Sequence, residues 1–274
     1  LQAGRGSSWP FGDGYVCGVN VAYRADSKIR AHYFPIRHPD SQNFDPAQVF
    51  RWLTDHVAAG VRFITLNGGY DWGWLGTDLG VAIPPSNQLE EVGALAALVD
   101  ENQLKYSLDA LCARHGLPGK DMALLEEACK AAGFKFSKKT PAQSYIWQLP
   151  AAVCAPYGEA DAINTLLLYE LLIEIVEREG THDAYRLEVD LMPMTIAMRR
   201  HGIRVDQQAA EQARDLLLAK RDAALVDLSD QHGALIGMDE INSPKWKIAT
   251  FDRYDIISPR TTPKGKPSFA AGKS

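Results

Sequence analysis

The run Val61-Arg62-Phe63-Ile64-Thr65-Leu66 leads straight into Asn67-Gly68-Gly69-Tyr70-Asp71. No other junction in the chain constrains its fold as strongly. A short, mostly apolar stretch with β-branched residues reads as a buried strand. The glycine pair lets the backbone turn sharply, and Asp71 then stands at the edge of a sheet, where open α/β folds bind ligands. The same residues also read as a tight turn in which Asp71 caps the helix that follows.

A second carboxylate has a comparable setting. Tyr157-Gly158-Glu159-Ala160-Asp161 begins a long helix with Pro156 at its entry, running to about Glu179. Its expected apolar stripe is Ile163, Leu166, Leu167, Leu171 and Ile175, at i, i+3, i+4 spacing. Tyr157 and Asp161 are one helical turn apart and share a face. An Asp on the buried side of such a helix is costly unless it is paired or metal-bound. An exposed Asp in the first turn, favoured by the helix dipole, is the alternative. Asp71 and Asp161 together can converge on one divalent cation, with the Tyr157 hydroxyl orienting a metal-held water. Two such ligands are too few for a working site.

The remaining elements follow from local signals. Tyr15 to Tyr23 and Ile29 to Pro35 read as a hairpin around Ala25-Asp26-Ser27. Asp45-Pro46 starts a helix with Val49, Leu53 and Val57 on its apolar face, and Gly60 ends it. A helix between strands suggests a crossover onto a mixed sheet. Helices are expected over Leu89–Leu98, Ser107–Arg114 and Asp121–Ala132, with a shorter one over Pro141–Gln148. After Gly180, His182 to Arg200 reads as a helix with Leu187, Leu191, Met194 and Met198 on one face and Pro193 inside. Asp206 caps another reaching about His232, so the pair is expected to form a helical hairpin. The domain boundary is expected near Gly180.

Composition narrows the class. With 46% hydrophobic and 23% charged residues in 274 positions, the chain suits one large globular domain or two small ones. No run approaches the roughly 18 apolar residues of a membrane span. The net charge of -5 argues against a surface that grips nucleic acid throughout. The charge is uneven: residues 245–274 carry +5 and the rest -10. That basic segment reads either as a solvated tail or as a phosphate contact. Cys17, Cys112, Cys129 and Cys154 form no Cys-x-x-Cys pair and read as buried thiols. The histidines, His38 among them, show no metal spacing. Gly12, Gly14 and Gly18 make no nucleotide-binding fingerprint. Lys105 precedes Tyr106-Ser107-Leu108 and reads as the surface start of a helix or as a phosphate contact.

The two motifs, their order, and the intervening Leu98 to Leu111 resemble the DEDDy 3′–5′ exonuclease domain of family A DNA polymerases. Asn67 to Asp71 is similar to its second motif, Asn-x-x-(Phe/Tyr)-Asp, and Tyr157 to Asp161 to its third, Tyr-x-x-x-Asp. Leu187 to Asp206, Ile241 to Lys245 and Lys264 to Phe269 are similar to the segment that leads into the polymerase domain in phage-type members. The resemblance implies an α/β fold: an RNase H-like exonuclease domain over residues 1–180, built on a mixed sheet flanked by helices. A long-helix segment at the start of the polymerase thumb would occupy residues 181–274. It also implies Asp71 and Asp161 as metal ligands, Tyr157 as the residue that orients the attacking water, and Asn67 and Tyr70 beside the terminal nucleotide. Two Mg²⁺ ions, or Mn²⁺, would serve as cofactor, and the single-stranded 3′ end of DNA as partner. The polymerase domain of the same chain would be a further partner, in a bacterial or phage-infected cytoplasm. The family's first motif, Asp-x-Glu, is absent, since no Asp here has Glu two residues later. Its strand is expected upstream of Leu1, and the fragment by itself is expected to be inactive. A module that has lost the chemistry and only guides DNA is the alternative.

Overall fold

A computed structural model describes residues 2–3, 14–257, 261 and 265. The Lys264–Phe269 match and much of the basic segment therefore fall outside the described residues. Two compact units divide at Gly202.

The first unit is α/β. Strand β1 (Gln2–Ala3) pairs antiparallel with β2 (Val16–Ala25), which pairs antiparallel with β3 (Lys28–Pro35). The hairpin closes through Asp26 and Ser27, both at positive φ (49° and 61°), the backbone of a two-residue turn whose twist suits a hairpin. Helix α1 (Pro46–Ala58) starts where expected, with the Asp45 carboxylate accepting the Ala47 N–H at 2.9 Å. Trp52 of α1 lies 5.2 Å from Phe34 of β3, ring centroid to ring centroid.

Strand β4 (Phe63–Thr65) is followed by α2 (Gly68–Asp78). Next comes an unanticipated strand. Residues 89–91 form β5 (Leu89–Glu91), parallel to β4, and helix α3 (Val92–Val99) starts only after it. Three residues are too short for a period to show, and the apolar run that follows hides the break. Among the described residues the strands thus form an antiparallel three-stranded sheet and a parallel pair, instead of one mixed sheet.

Helices α4 (Leu108–His115) and α5 (Ala123–Ala131) and a 3₁₀ stretch (Ala142–Gln148) precede the long α6 (Ala151–Arg178). Pro156 lies inside α6, not at its entry, so Asp161 sits about three turns in. The first-turn dipole reading of Asp161 is thereby removed. The buried stripe is Cys154, Gly158, Asn164, Leu168, Leu172 and Val176, rotated from the expected one, and Leu171 is exposed. Helix α6 packs on β2, β3 and β4 alike. On β2, Asn20 Nδ2 donates to the Gly158 carbonyl at 2.7 Å and Arg24 pairs with Glu170 through both carboxylate oxygens. The helix bridges two apolar clusters. Leu168 and Leu172 belong to the main core with Trp72, Trp74 and Leu95, and Cys154 joins Cys17, Leu125 and Cys129 in the smaller one. All four cysteines are buried thiols outside any disulfide, as the sequence suggested.

Helix α7 (His182–His201) belongs to the first compact unit, which runs to Gly202. The reason lies in Tyr185. Its hydroxyl donates to Glu90 at 2.6 Å and accepts the Glu91 N–H at 3.0 Å, tying α7 to β5. Helix α7 has two apolar stripes. The one with Tyr185, Val189, Met192 and Ile196 is buried, whereas Leu187 and Met198 of the expected stripe are 60% and 63% exposed.

In the second unit, α8 (Gln207–His232) is capped by Asp206, whose carboxylate accepts the Ala209 N–H at 3.0 Å, and Gly233 ends it at φ 71°. Helices α9 (Met238–Asn242) and α10 (Pro244–Arg253) follow. Because α7 and α8 belong to different units, the expected hairpin is not a feature of either one. No helix among the described residues is long and apolar enough to cross a membrane.

Candidate functional site

Asp71 lies in the first turn of α2, its N–H bonded to the Asn67 carbonyl at 3.2 Å. Asn67 holds the N-cap position without a side-chain cap, because another residue takes that role. Glu91 of β5 accepts the Gly68 N–H at 2.7 Å and the Thr65 hydroxyl at 3.0 Å. It thus places a carboxylate on the positive end of the α2 dipole. Only glycine allows this approach, since a Cβ on Gly68 would stand 2.9 Å from Glu91 Oε2 and 2.6 Å from Met192 Sδ. Burial pushes the Glu91 carboxyl up to about 7; the Gly68 N–H and Thr65 pull it back, and neighbouring Asp71 pushes it further up. Nothing in the Leu-Glu-Glu sequence marks Glu91, because its importance comes from a partner 23 residues away.

Tyr70 packs against the main core, and burial raises its hydroxyl to about 12. Trp72 and Trp74, each 1% exposed, anchor the rest of α2. Lys105 is exposed in the loop between α3 and α4, and Asn67 is exposed as well.

Asp161 has different surroundings. Its Oδ1 lies 2.8 Å from Nζ of Lys120, a residue the sequence reading did not single out. The same ammonium donates to the Tyr157 hydroxyl at 3.1 Å, lies 4.7 Å from the Tyr157 ring centroid, and reaches Asp109 at 3.4 Å. The expected sharing of a face by Tyr157 and Asp161 is therefore realised around a cation. Burial raises the Asp161 carboxyl, and Lys120 offsets part of that rise. Burial lowers the Lys120 ammonium, but Asp161 and Tyr157 outweigh it and hold the group well above the usual lysine range. Burial and Asp161 raise the Tyr157 hydroxyl, again offset in part by Lys120.

The expected metal centre does not assemble from this chain's described residues. Among them no three His, Cys, Asp or Glu side chains are grouped so as to hold a metal ion. One of the two intended ligands already has a cation, so the residues present do not fit two divalent ions. A cleft of about 430 Å³ lined by Phe34, Phe44, Arg51 and Trp52 lies between β3 and α1 and includes no motif residue.

An α/β unit joined to a helical one, with two acidic motifs on elements that pack against its strands, is the class of protein described so far. Comparison with known proteins finds similarity to phage DNA polymerases, in agreement with the resemblance read from the sequence at that level. The chain is 25% identical over 256 residues to the DNA-directed DNA polymerase of Pseudomonas phage M6, covering 93% of this chain and 37% of that one. It is 29% identical over 237 residues to DNA polymerase DpoZ of Salmonella phage PMBT28, covering 81% and 36%. DpoZ of Vibrio phage phiVC8 is 26% identical over 245 residues, covering 83% and 37%. The chain thus spans little more than a third of the length of these relatives. No protein-family model matches it.

Proposed function

We propose that this chain is the 3′–5′ exonuclease-like region of a phage DNA polymerase, with an RNase H-like fold, serving to remove nucleotides from single-stranded 3′ ends. The observation that carries the reading is the setting of the two motifs. Asn67 to Asp71 leaves a strand for a helix, and Tyr157 to Asp161 lies along the helix that packs on β2, β3 and β4. The similarity to phage DNA polymerases over most of the chain supports it.

In this reading Asp71 and Asp161 supply two of the carboxylates of the completed site. Tyr157 holds its hydroxyl beside Asp161. Exposed Asn67 and Lys105 contact the strand, and Tyr70 supports Asp71 from the core side. Mg²⁺ or Mn²⁺ suits such an oxygen-only ligand set. Because the residues here do not fit the ions by themselves, no hydrolytic step is assigned to the chain alone. Further carboxylates from an adjoining strand would complete the site. Frayed primer ends within the polymerase, in the cytoplasm of an infected cell, would be the substrate.

The test is a gel assay on 5′-labelled single-stranded DNA with Mg²⁺ or Mn²⁺. The 274-residue chain is expected to be inert. The chain extended upstream through its own reading frame is expected to shorten the DNA from its 3′ end, and Asp161→Ala is expected to stop it. An extended chain that stays inert with both aspartates intact would refute the nuclease reading. One observation favours a second reading, a module that guides DNA without cutting it: Asp161 is already neutralised by Lys120.

A further inference from the structure

The Lys120 side chain is 9% exposed, whereas those of Asp161 and Asp109 are 27% and 65% exposed. Its ammonium has three protons and three oxygen groups in reach: Asp161, Tyr157 and Asp109. The backbone that delivers it is fixed. Gly119, at φ 71°, turns the chain, and its carbonyl accepts a hydrogen bond at 2.8 Å from Asn164, a buried residue of α6. Asn164 is three positions beyond Asp161, so the helix that carries the carboxylate also holds the loop that carries its counter-ion.

We propose that Lys120 is the resident cation of this site, occupying the place on Asp161 that a divalent ion would take. A half-buried carboxylate left without a cation is strongly unfavourable, and Lys120 supplies that charge from within the fold. A divalent ion against the same oxygen would face the ammonium at contact range, so in a completed site an ion binds Asp161 only once Lys120 has left it. Lys120 is accordingly a positioning residue that keeps Tyr157 and Asp161 in register. The assignment does not depend on whether the chain cuts DNA.

Thermal unfolding of the 274-residue chain, with and without millimolar Mn²⁺ and with no DNA present, tests this. Lys120→Met is expected to lower Tm by roughly 5–10 °C. Lys120→Arg should recover part of the loss, and Lys120→Met/Asp161→Asn most of it, because the uncompensated charge is gone. Mn²⁺ should raise the Tm of Lys120→Met and leave the parent unchanged. Should Lys120→Met not fold, Lys120→Gln, which keeps a hydrogen-bond donor, takes its place with the same expected pattern. The proposal is overturned if Lys120→Met melts with the parent, or if Mn²⁺ raises the parent's Tm as much as the variant's. It is also overturned if Mn²⁺ raises neither, since Lys120 would then be a structural ion pair and no stand-in for a metal. Because melting is read without DNA, these outcomes are independent of the nuclease assay.

Discussion

Trp72→Ala is expected to destabilise the chain by about 3–5 kcal/mol, the cost of emptying a fully buried aromatic site. Trp72 is 1% exposed, and its ring meets Phe63 of β4 edge-on at 5.1 Å. It lies one residue after Asp71, so its packing fixes the rotation of α2 and with it the direction of the Asp71 carboxylate. A typical domain is stable by only about 5–15 kcal/mol, so the loss is a large share of the total. Urea unfolding followed by circular dichroism measures it. Trp72→Phe should lose markedly less, because a ring remains against Phe63. A Trp72→Ala chain within about 1 kcal/mol of the parent would mean that α2 is not anchored as described.

The second large effect is a pH dependence centred on Glu91. Its carboxyl is pushed from the ordinary 4.5 to about 7, mainly by burial. The groups around it are the Gly68 and Gly93 N–H groups, the Thr65 hydroxyl and the Asp71 carboxylate. A carboxyl raised in the folded state is more easily protonated there than in the unfolded chain. Its stabilising contribution is therefore full below about pH 4.5 and is lost as pH rises to about 7. The shift corresponds to roughly 3 kcal/mol. Glu91→Gln keeps an acceptor for the Gly68 N–H and has no charge to bury. Denaturation midpoints between pH 4.5 and 8 should decline less in Glu91→Gln than in the parent, leaving the variant more stable at pH 8. Parallel curves for the two proteins would show that Glu91 does not titrate in this window.

These two residues also mark what the sequence can and cannot reveal. The hairpin around Asp26-Ser27, the Asp45-Pro46 helix start and the Asp206 cap were legible because their signals are local. The pairing of Tyr157 with Asp161 was legible for the same reason, since helical spacing puts them on one face. Strand β5 was not, because three residues ahead of an apolar helix carry no period of their own. The buried face of α7 could not be chosen between two apolar stripes. The hydrogen bonds of Tyr185 to Glu90 and Glu91, across a separation of more than ninety residues, decide it. Glu91 and Lys120 were missed on the same ground. A charge becomes informative only once tertiary structure has buried it beside a specific partner, and Lys120 meets Asp161, Asp109 and Tyr157 from a loop with no motif.

The central claim is that Asp71 and Asp161 serve one site. Rates of 3′-end removal by the upstream-extended chain test it most directly, measured for Asp71→Ala, Asp161→Ala and the double variant. Residues that act as a unit give non-additive losses. Each single substitution should therefore reduce the rate by about a thousandfold or more, and the double variant should be no slower than the slower single. Losses that multiply, or an Asp71→Ala variant that retains the parent rate, would contradict the claim.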